Sequence, residues 1–322
     1  MSVLVFTENW DGKFKKSSFE LVSYASKIAE MLNTSTVALS IGNVTEDELK
    51  NLGKHGADKI LSVTDERFNY LENQAYTSVI AQAAAKESAS VLVFANNNMG
   101  KALAPRVAVK MNAGLGAGVD QLPKSTEPFT IHKKVYSGNA FGNVIIKTDV
   151  KVLTLMQNSF MIVENQKDGA VETFAPEVNE AHFKTKVKDV AKQTGQIILT
   201  DAEIVVSGGR GMKGAENWGA IEELAEVLGA ATACSRPVSD EGWRPHNEHT
   251  GQTGKIIAPN LYIAAGISGA IQHIAGVSGT KCLVAINTDK DAPIFEVADY
   301  GIVGDALKVL PELVAGIKEL KS

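Results

Sequence analysis

The chain has 322 residues and a formal net charge of -5, a length that favours two domains of ordinary size and an acidic surplus that argues against nucleic acid as a partner. Hydrophobic residues make up 44% and charged residues 21%, the balance of a soluble globular protein, and no run approaches the ~20 apolar residues of a membrane span. Cys234 and Cys282 are too few for a disulfide framework and show no metal-type spacing, so the expected compartment is a reducing one, the cytoplasm, with no metal bound.

The first half alternates strand and helix signals. Residues 3–7 form a short β-branched run without a basic lead, which reads as a first strand and not a signal peptide. Residues 18–32 have helical spacing, with Phe19, Val22, Ala25, Ile28 and Leu32 on one side. Strands follow at 36–41 and 59–63, an Ala-rich helix at 74–86, a buried strand at 91–95, and a helix at 101–111 with Pro105 near its first turn. After Gly114-Leu115-Gly116-Ala117-Gly118 the helices stop. Runs at 131–136, 143–147 and 151–156 read as an antiparallel extension of the same domain. The polar, mixed-charge stretch 164–196 is the best domain boundary.

The second half restarts the alternation. It has a strand at 203–207, a helix at 215–228 stopped by Gly229, and a strand at 261–265. A short helix at 269–275, a strand at 282–286 and a closing helix at 305–320 complete it, and Pro311 should kink that last helix or split off its first turn.

Gly-rich and polar loops follow these strands, where open parallel sheets bind ligands. In Ser207-Gly208-Gly209-Arg210-Gly211 the glycines admit backbone N–H groups to a phosphate and Arg210 can pair with its oxygens. The segment is neither a Gly-x-Gly-x-x-Gly fingerprint nor a P-loop, and a tight turn with a solvated Arg explains it equally well. Ser235 and Arg236 offer a hydroxyl and a fixed cation, or simply a surface pair between Arg236 and Asp240. Thr250-Gly251-Gln252-Thr253-Gly254-Lys255 is a close backbone approach with a usable Thr253 hydroxyl, or a hairpin turn. The most informative stretch runs from Leu261 through Gly266-Ile267-Ser268-Gly269 to Gln272 and His273. It joins a hydrophobic strand to an anion cradle at a helix start, with His273 either facing a ligand or packed. Asn287 suits a ribose or phosphate, and Asp305 does too unless it is an N-cap.

Together these residues resemble the α subunits of electron-transfer flavoproteins. The likeness is carried by Leu261-Tyr262-Ile263-Ala264, Gly266 to His273, Gly276 and Val284-Ala285-Ile286-Asn287. The three other loops match in the same order, as do Ala292-Pro293-Ile294-Phe295 and Ala298-Asp299-Tyr300-Gly301. In the first half Pro105-Arg106-Val107-Ala108 and Tyr136-Ser137-Gly138-Asn139-Ala140 match as well. The resemblance implies an α/β fold of two domains, each a mainly parallel sheet flanked by helices. Residues 1–190 would contact a β subunit, and 191–322 would form a doubly wound FAD-binding domain.

By the same resemblance FAD would be bound by Arg210, Ser235, Arg236, Thr250, Gly251, Gln252, Thr253, Ser268, Gly269, Ala270, Ile271, Gln272, His273, Asn287, Asp305 and Ala306. Three of these would tune the flavin. Arg236 would lie against the isoalloxazine and raise its potential, Thr253 would bond N5, and His273 would bond the pyrimidine-side carbonyl. Arg236 and His273 would favour the anionic semiquinone. The implied function is electron carriage from flavin dehydrogenases, such as those of acyl-CoA in fatty-acid β-oxidation, to a membrane quinone oxidoreductase, with no membrane insertion. The β subunit would hold AMP, or a second FAD in the branch that bifurcates electrons from NADH. The alternative from another class is a nicotinamide-nucleotide enzyme, which needs an acid–base cluster that the sequence does not show. Departures from the family pattern are Pro237, Ser239, Thr250 and a loop at 243–249 carrying His246 and His249.

Overall fold

The computed structural model describes residues 1–138, 140–185, 187–190 and 197–321; Asn139 and residues 191–196 of the expected boundary lie outside them. Two compact units are formed, Met1–Val190 and Ala191–Ser322.

The first unit opens with β1 (Ser2–Thr7), a small ribbon of β2 (Asn9–Trp10) and β3 (Lys13–Phe14), and α1 (Lys16–Met31). It continues through β4 (Ser35–Ile41), α2 (Glu46–Lys50), β5 (Lys59–Val63), α3 (Asn73–Lys86), β6 (Ala89–Ala95) and α4 (Asn98–Lys110). Six strands follow: β7 (Gly114–Val119), β8 (Ser125–Thr126), β9 (Phe129–Val135), β10 (Ala140–Ile145), β11 (Lys151–Leu155) and β12 (Ala170–Thr173). The sheet order is β10-β9-β7-β11-β6-β1-β4-β5-β12, with β8 beside β9. Pairing is parallel from β7 to β12 and antiparallel at β8, β9 and β10. Alternation along β1 sends Val3 and Val5 into a core shared with α1, and Leu4 and Phe6 into one shared with α3 and α4.

Several expectations need correction here. The run 151–156 is not part of an antiparallel extension: β11 lies between β6 and β7 and is parallel to both. The glycine-rich stretch before it is a strand, β7. Its glycines are needed for space, since a Cβ on Gly116 would stand 2.6 Å from Ile131 Cδ1 and one on Gly114 would stand 2.5 Å from Ile146 Cγ2. Part of the polar stretch read as boundary contains β12, which pairs with β5. Pro105 sits inside α4, and Pro311 inside α9 (Ala306–Lys321), which runs unbroken. Both prolines lie on the exposed side of their helices, where water can meet the carbonyl left without a donor.

The second unit comprises β13 (Ile204–Gly208), α5 (Gly219–Leu228), β14 (Ala231–Cys234), α6 (Arg236–Asp240), β15 (Leu261–Ala265), α7 (Ile271–Val277), β16 (Cys282–Asn287), α8 (Ile294–Val297), β17 (Tyr300–Val303) and α9. β14 and β17 are strands beyond those expected. All pairings are parallel in the order β14-β13-β15-β16-β17. One face is covered by α5 and α9 through Ile221, Leu224, Leu310 and Val314. The other is covered by α7 and α8 through Val277 and Ile294, so the sheet is doubly wound.

Candidate functional site

β13 is first in the second unit's chain order yet lies between β14 and β15; the chain leaves β13 for β14 on one side and leaves β15 for β16 on the other, so the connections diverge between the ends of β13 and β15. That is the switch point at which a doubly wound sheet leaves a crevice. Backbone meets backbone across it. Gly209 N–H donates to the Ala265 carbonyl and Gly211 N–H to the Gly266 carbonyl, both at 2.9 Å. Gly266 has φ +63°, and a Cβ there would stand 2.8 Å from Gly211 Cα, so only glycine lets the two strand ends come this close.

The remaining loops are stitched to the same spot. Ser235 N–H donates to the Gly208 carbonyl at 3.1 Å, and Thr250 N–H to the Cys234 carbonyl at 3.0 Å. Gln252 N–H donates to the Gln272 carbonyl at 2.7 Å, which lays the 250–255 turn on α7. A cavity of about 530 Å³ lies between these loops, within the range of small-molecule sites.

Its wall carries Arg210, Ser235, Arg236, Thr250, Gly251, Gln252 and Thr253 from the first three loops. Ser268, Gly269, Ala270, Gln272, His273 and Asn287 line it from the far side. Three expected residues lie elsewhere. Ile271 is exposed outside the cavity, Ala306 is buried in the core under α9, and Asp305 caps α9 by accepting from Leu307 N–H at 3.1 Å while pairing with Lys213 at 2.8 Å. Asp305 thus acts as the N-cap of α9.

Inside the cavity two of the expected binders also make contacts within the chain. Asn287 is engaged at both ends of its amide: Nδ2 donates to the Ile267 carbonyl at 2.9 Å and Oδ1 accepts from Asp289 N–H at 3.0 Å. It holds the β15–α7 loop in shape. His273 is buried, and its Nε2 is hydrogen-bonded to the Tyr262 hydroxyl at 2.8 Å. Burial pushes the imidazole down to about 4, so it is neutral at pH 7 and brings no fixed positive charge. Arg236 does bring one. Its Nε lies 3.3 Å from Asp240 Oδ2, and its Nη1 donates to Thr253 Oγ1 at 3.4 Å, with the guanidinium largely exposed at the cavity rim.

Gly211, Pro237, Asp240, His249, Gly266 and Ile267 also line the cavity without having been singled out as binders. For His249 a signal existed, the unusual histidines of its loop. For Asp240 it was the spacing of four from Arg236. Two guanidinium groups, four hydroxyls and three amides round a partly apolar hollow form a donor set that suits a polyhydroxyl chain bearing a diphosphate and a planar ring.

The fold and this site define a dinucleotide-binding protein of the doubly wound class. Residues 198–278 match the family model for the electron transfer flavoprotein FAD-binding domain, and residues 3–179 match that for the electron transfer flavoprotein domain. The chain is 35% identical to the electron transfer flavoprotein subunit alpha of Thermoanaerobacterium thermosaccharolyticum, over 99% of this chain and 98% of that one. It is equally 35% identical to the subunit alpha of Bacillus subtilis, over 99% and 98%. To the acryloyl-CoA reductase electron transfer subunit beta of Anaerotignum propionicum it is 31% identical, over 99% and 96%. The chain belongs to the family of electron transfer flavoprotein α subunits. It is an electron-transfer protein and its cofactor is FAD.

Proposed function

We propose that this chain is the FAD-holding half of a heterodimeric electron carrier, with the cofactor seated in the cavity between the ends of β13 and β15. The observation that carries the reading is the convergence of Arg210 and Arg236 with the Ser235, Thr250, Thr253 and Ser268 hydroxyls at one switch point. Bound FAD supplies the redox chemistry, accepting and releasing electrons. The residues of the chain bind it, orient it and set the field around it. Arg210, beside the Gly209–Gly211 turn, neutralises diphosphate charge. Arg236, held toward Thr253, places a cation where added negative charge on the ring is stabilised. Thr253 presents a hydroxyl on the same side. His273 contributes shape and a ring that burial keeps neutral, anchored at Nε2 by the Tyr262 hydroxyl.

Electrons would come from flavin dehydrogenases, acyl-CoA dehydrogenases among them, and leave for a quinone oxidoreductase. No substrate bond is made or broken on this chain. A β subunit completes the carrier and holds AMP. Cys234 and Cys282 are free thiols, which supports a cytoplasmic setting.

Co-expression with the β chain followed by nucleotide release on denaturation tests this. One FAD and one AMP per heterodimer, with bleaching of the flavin by a substrate-loaded dehydrogenase, is the expected result. A colourless heterodimer that FAD cannot reconstitute overturns it, and two FAD per heterodimer moves the protein to the bifurcating branch.

A further inference from the structure

His249 is buried in the wall of the cavity, 3% exposed, and its Nδ1 has no hydrogen-bond partner. Its backbone is fixed on both sides: the N–H donates to the His246 carbonyl at 3.1 Å, and the carbonyl accepts from Lys255 N–H at 2.8 Å. The backbone that carries the ring is therefore held in place, and the ring is enclosed by its neighbours. The ring of His246 lies 5.3 Å away, centre to centre, and is exposed to solvent, with Nδ1 3.5 Å from Ser239 Oγ. One imidazole thus lines the cavity and the next, in ring contact with it, faces water.

We propose that His249 is the proton-exchanging residue of the cofactor cavity, reached from solvent through His246, so that negative charge arriving on bound FAD is matched by proton uptake at this imidazole. This rests on the FAD reading above. The electron comes from the dehydrogenase partner and the proton from water. When charge arrives, one N–H bond forms on His249 as one O–H bond of a solvent hydronium breaks; when the electron leaves, the N–H bond breaks and the proton returns to water.

The charged surroundings favour such a switch. On α6, Arg236 opposes protonation and Asp240 favours it, and the two are paired with each other at 3.3 Å. Arg244 and Glu248 on the adjoining loop are locked together at 2.7 Å. Cys234, beside His249 at the end of β14, is held as a neutral thiol by burial, and His273 on α7 is neutral too. Within each of the two ion pairs the charges offset one another, and Arg210 adds a further cation to the cavity wall. Burial, then His246 and Arg236, keep His249 below its ordinary value, hence neutral at pH 7 until a further negative charge enters the cavity.

The test is proton uptake by the holo-heterodimer on reduction, read with a pH indicator in weak buffer near pH 7, beside the pH dependence of the flavin potential. Wild type should take up more protons per FAD than His249→Gln, which keeps a polar side chain, and its potential should depend more steeply on pH. His246→Gln should keep the equilibrium uptake and slow it. If His249→Gln loses FAD, His249→Asn and ¹⁵N-histidine spectra of the wild-type holoprotein decide instead. A His249 signal that moves from the neutral to the protonated pattern on reduction supports the assignment. Identical uptake in wild type and variant, or a His249 signal indifferent to reduction, overturns it. A heterodimer that never binds FAD defeats the cofactor reading first and this inference with it.

Discussion

At the scale of single residues, the buried histidines decide how the site responds to acid. His273 is neutral in the folded protein, with its affinity for a proton lowered to about 4 from an ordinary value near 6.5. Between these values the unfolded chain binds a proton that the folded chain does not. Stability contributed by the neutral ring is therefore full above pH 6.5 and is lost as pH falls toward 4, by on the order of 3 kcal/mol. His249 acts in the same direction. Urea unfolding followed at pH 7 and pH 4.5 should show this loss, and His273→Gln should flatten it; an equal loss in the variant would place the acid sensitivity elsewhere. Arg236 bears on the field in the cavity and little on stability. Its pair with Asp240 is exposed, with side chains 63% and 62% accessible, so Arg236→Ala should leave stability within about 0.5 kcal/mol of wild type. The same change removes the cation at the cavity rim. FAD should stay bound while its potential falls, and a redox titration giving an unchanged potential would reject the role assigned to Arg236.

At the scale of elements, the structure depends on how closely backbone can approach backbone. Gly266 combines a positive φ with Gly211 pressed against it, so Gly266→Ala adds both strain and a 2.8 Å clash at the switch point. It should destabilise the second unit by roughly 2–4 kcal/mol and abolish FAD retention, measurable by thermal unfolding and by flavin absorbance after gel filtration. This closeness also separates what the sequence discloses from what it hides. β1, β4, β5, β6 and β15 are β-branched or aliphatic runs between turn residues, and they are legible from that pattern alone. β7 is not, because its glycines look like a loop until Ile131 and Ile146 are seen filling the space. β14 and β17 are only four residues long and sit at the sheet edges, where hydrophobic patterning is weakest. In the site, glycines and arginines at strand ends announce themselves. Side-chain direction does not. Nothing local says that Tyr262 shares a sheet face with α7 and meets the His273 ring. Nor does anything local say that the long return from α6 to β15 brings His249 back into the cavity wall.

For the whole molecule, the two units each carry their own cores. Those of the first are built on β1, α1, α3 and α4, and those of the second on β13, β15, α5 and α9. The cavity proposed for the cofactor is lined wholly by residues of the second unit. A ligand that binds one folded unit stabilises that unit by mass action, about 2.7 kcal/mol at a hundredfold excess over its dissociation constant, and leaves an independent unit unaffected. Heating should therefore give two transitions, of which FAD moves only one, upward by roughly 10 °C for a unit of this size. Single-tryptophan variants assign them. Trp10 reports the first unit, and Trp218, packed against Gly208 beneath the cavity, reports the second. The Trp218 signal should shift with added FAD while the Trp10 signal stays in place. If both shift together by the same amount, the units unfold as one cooperative body, and separate cores do not make separate folding units in this chain.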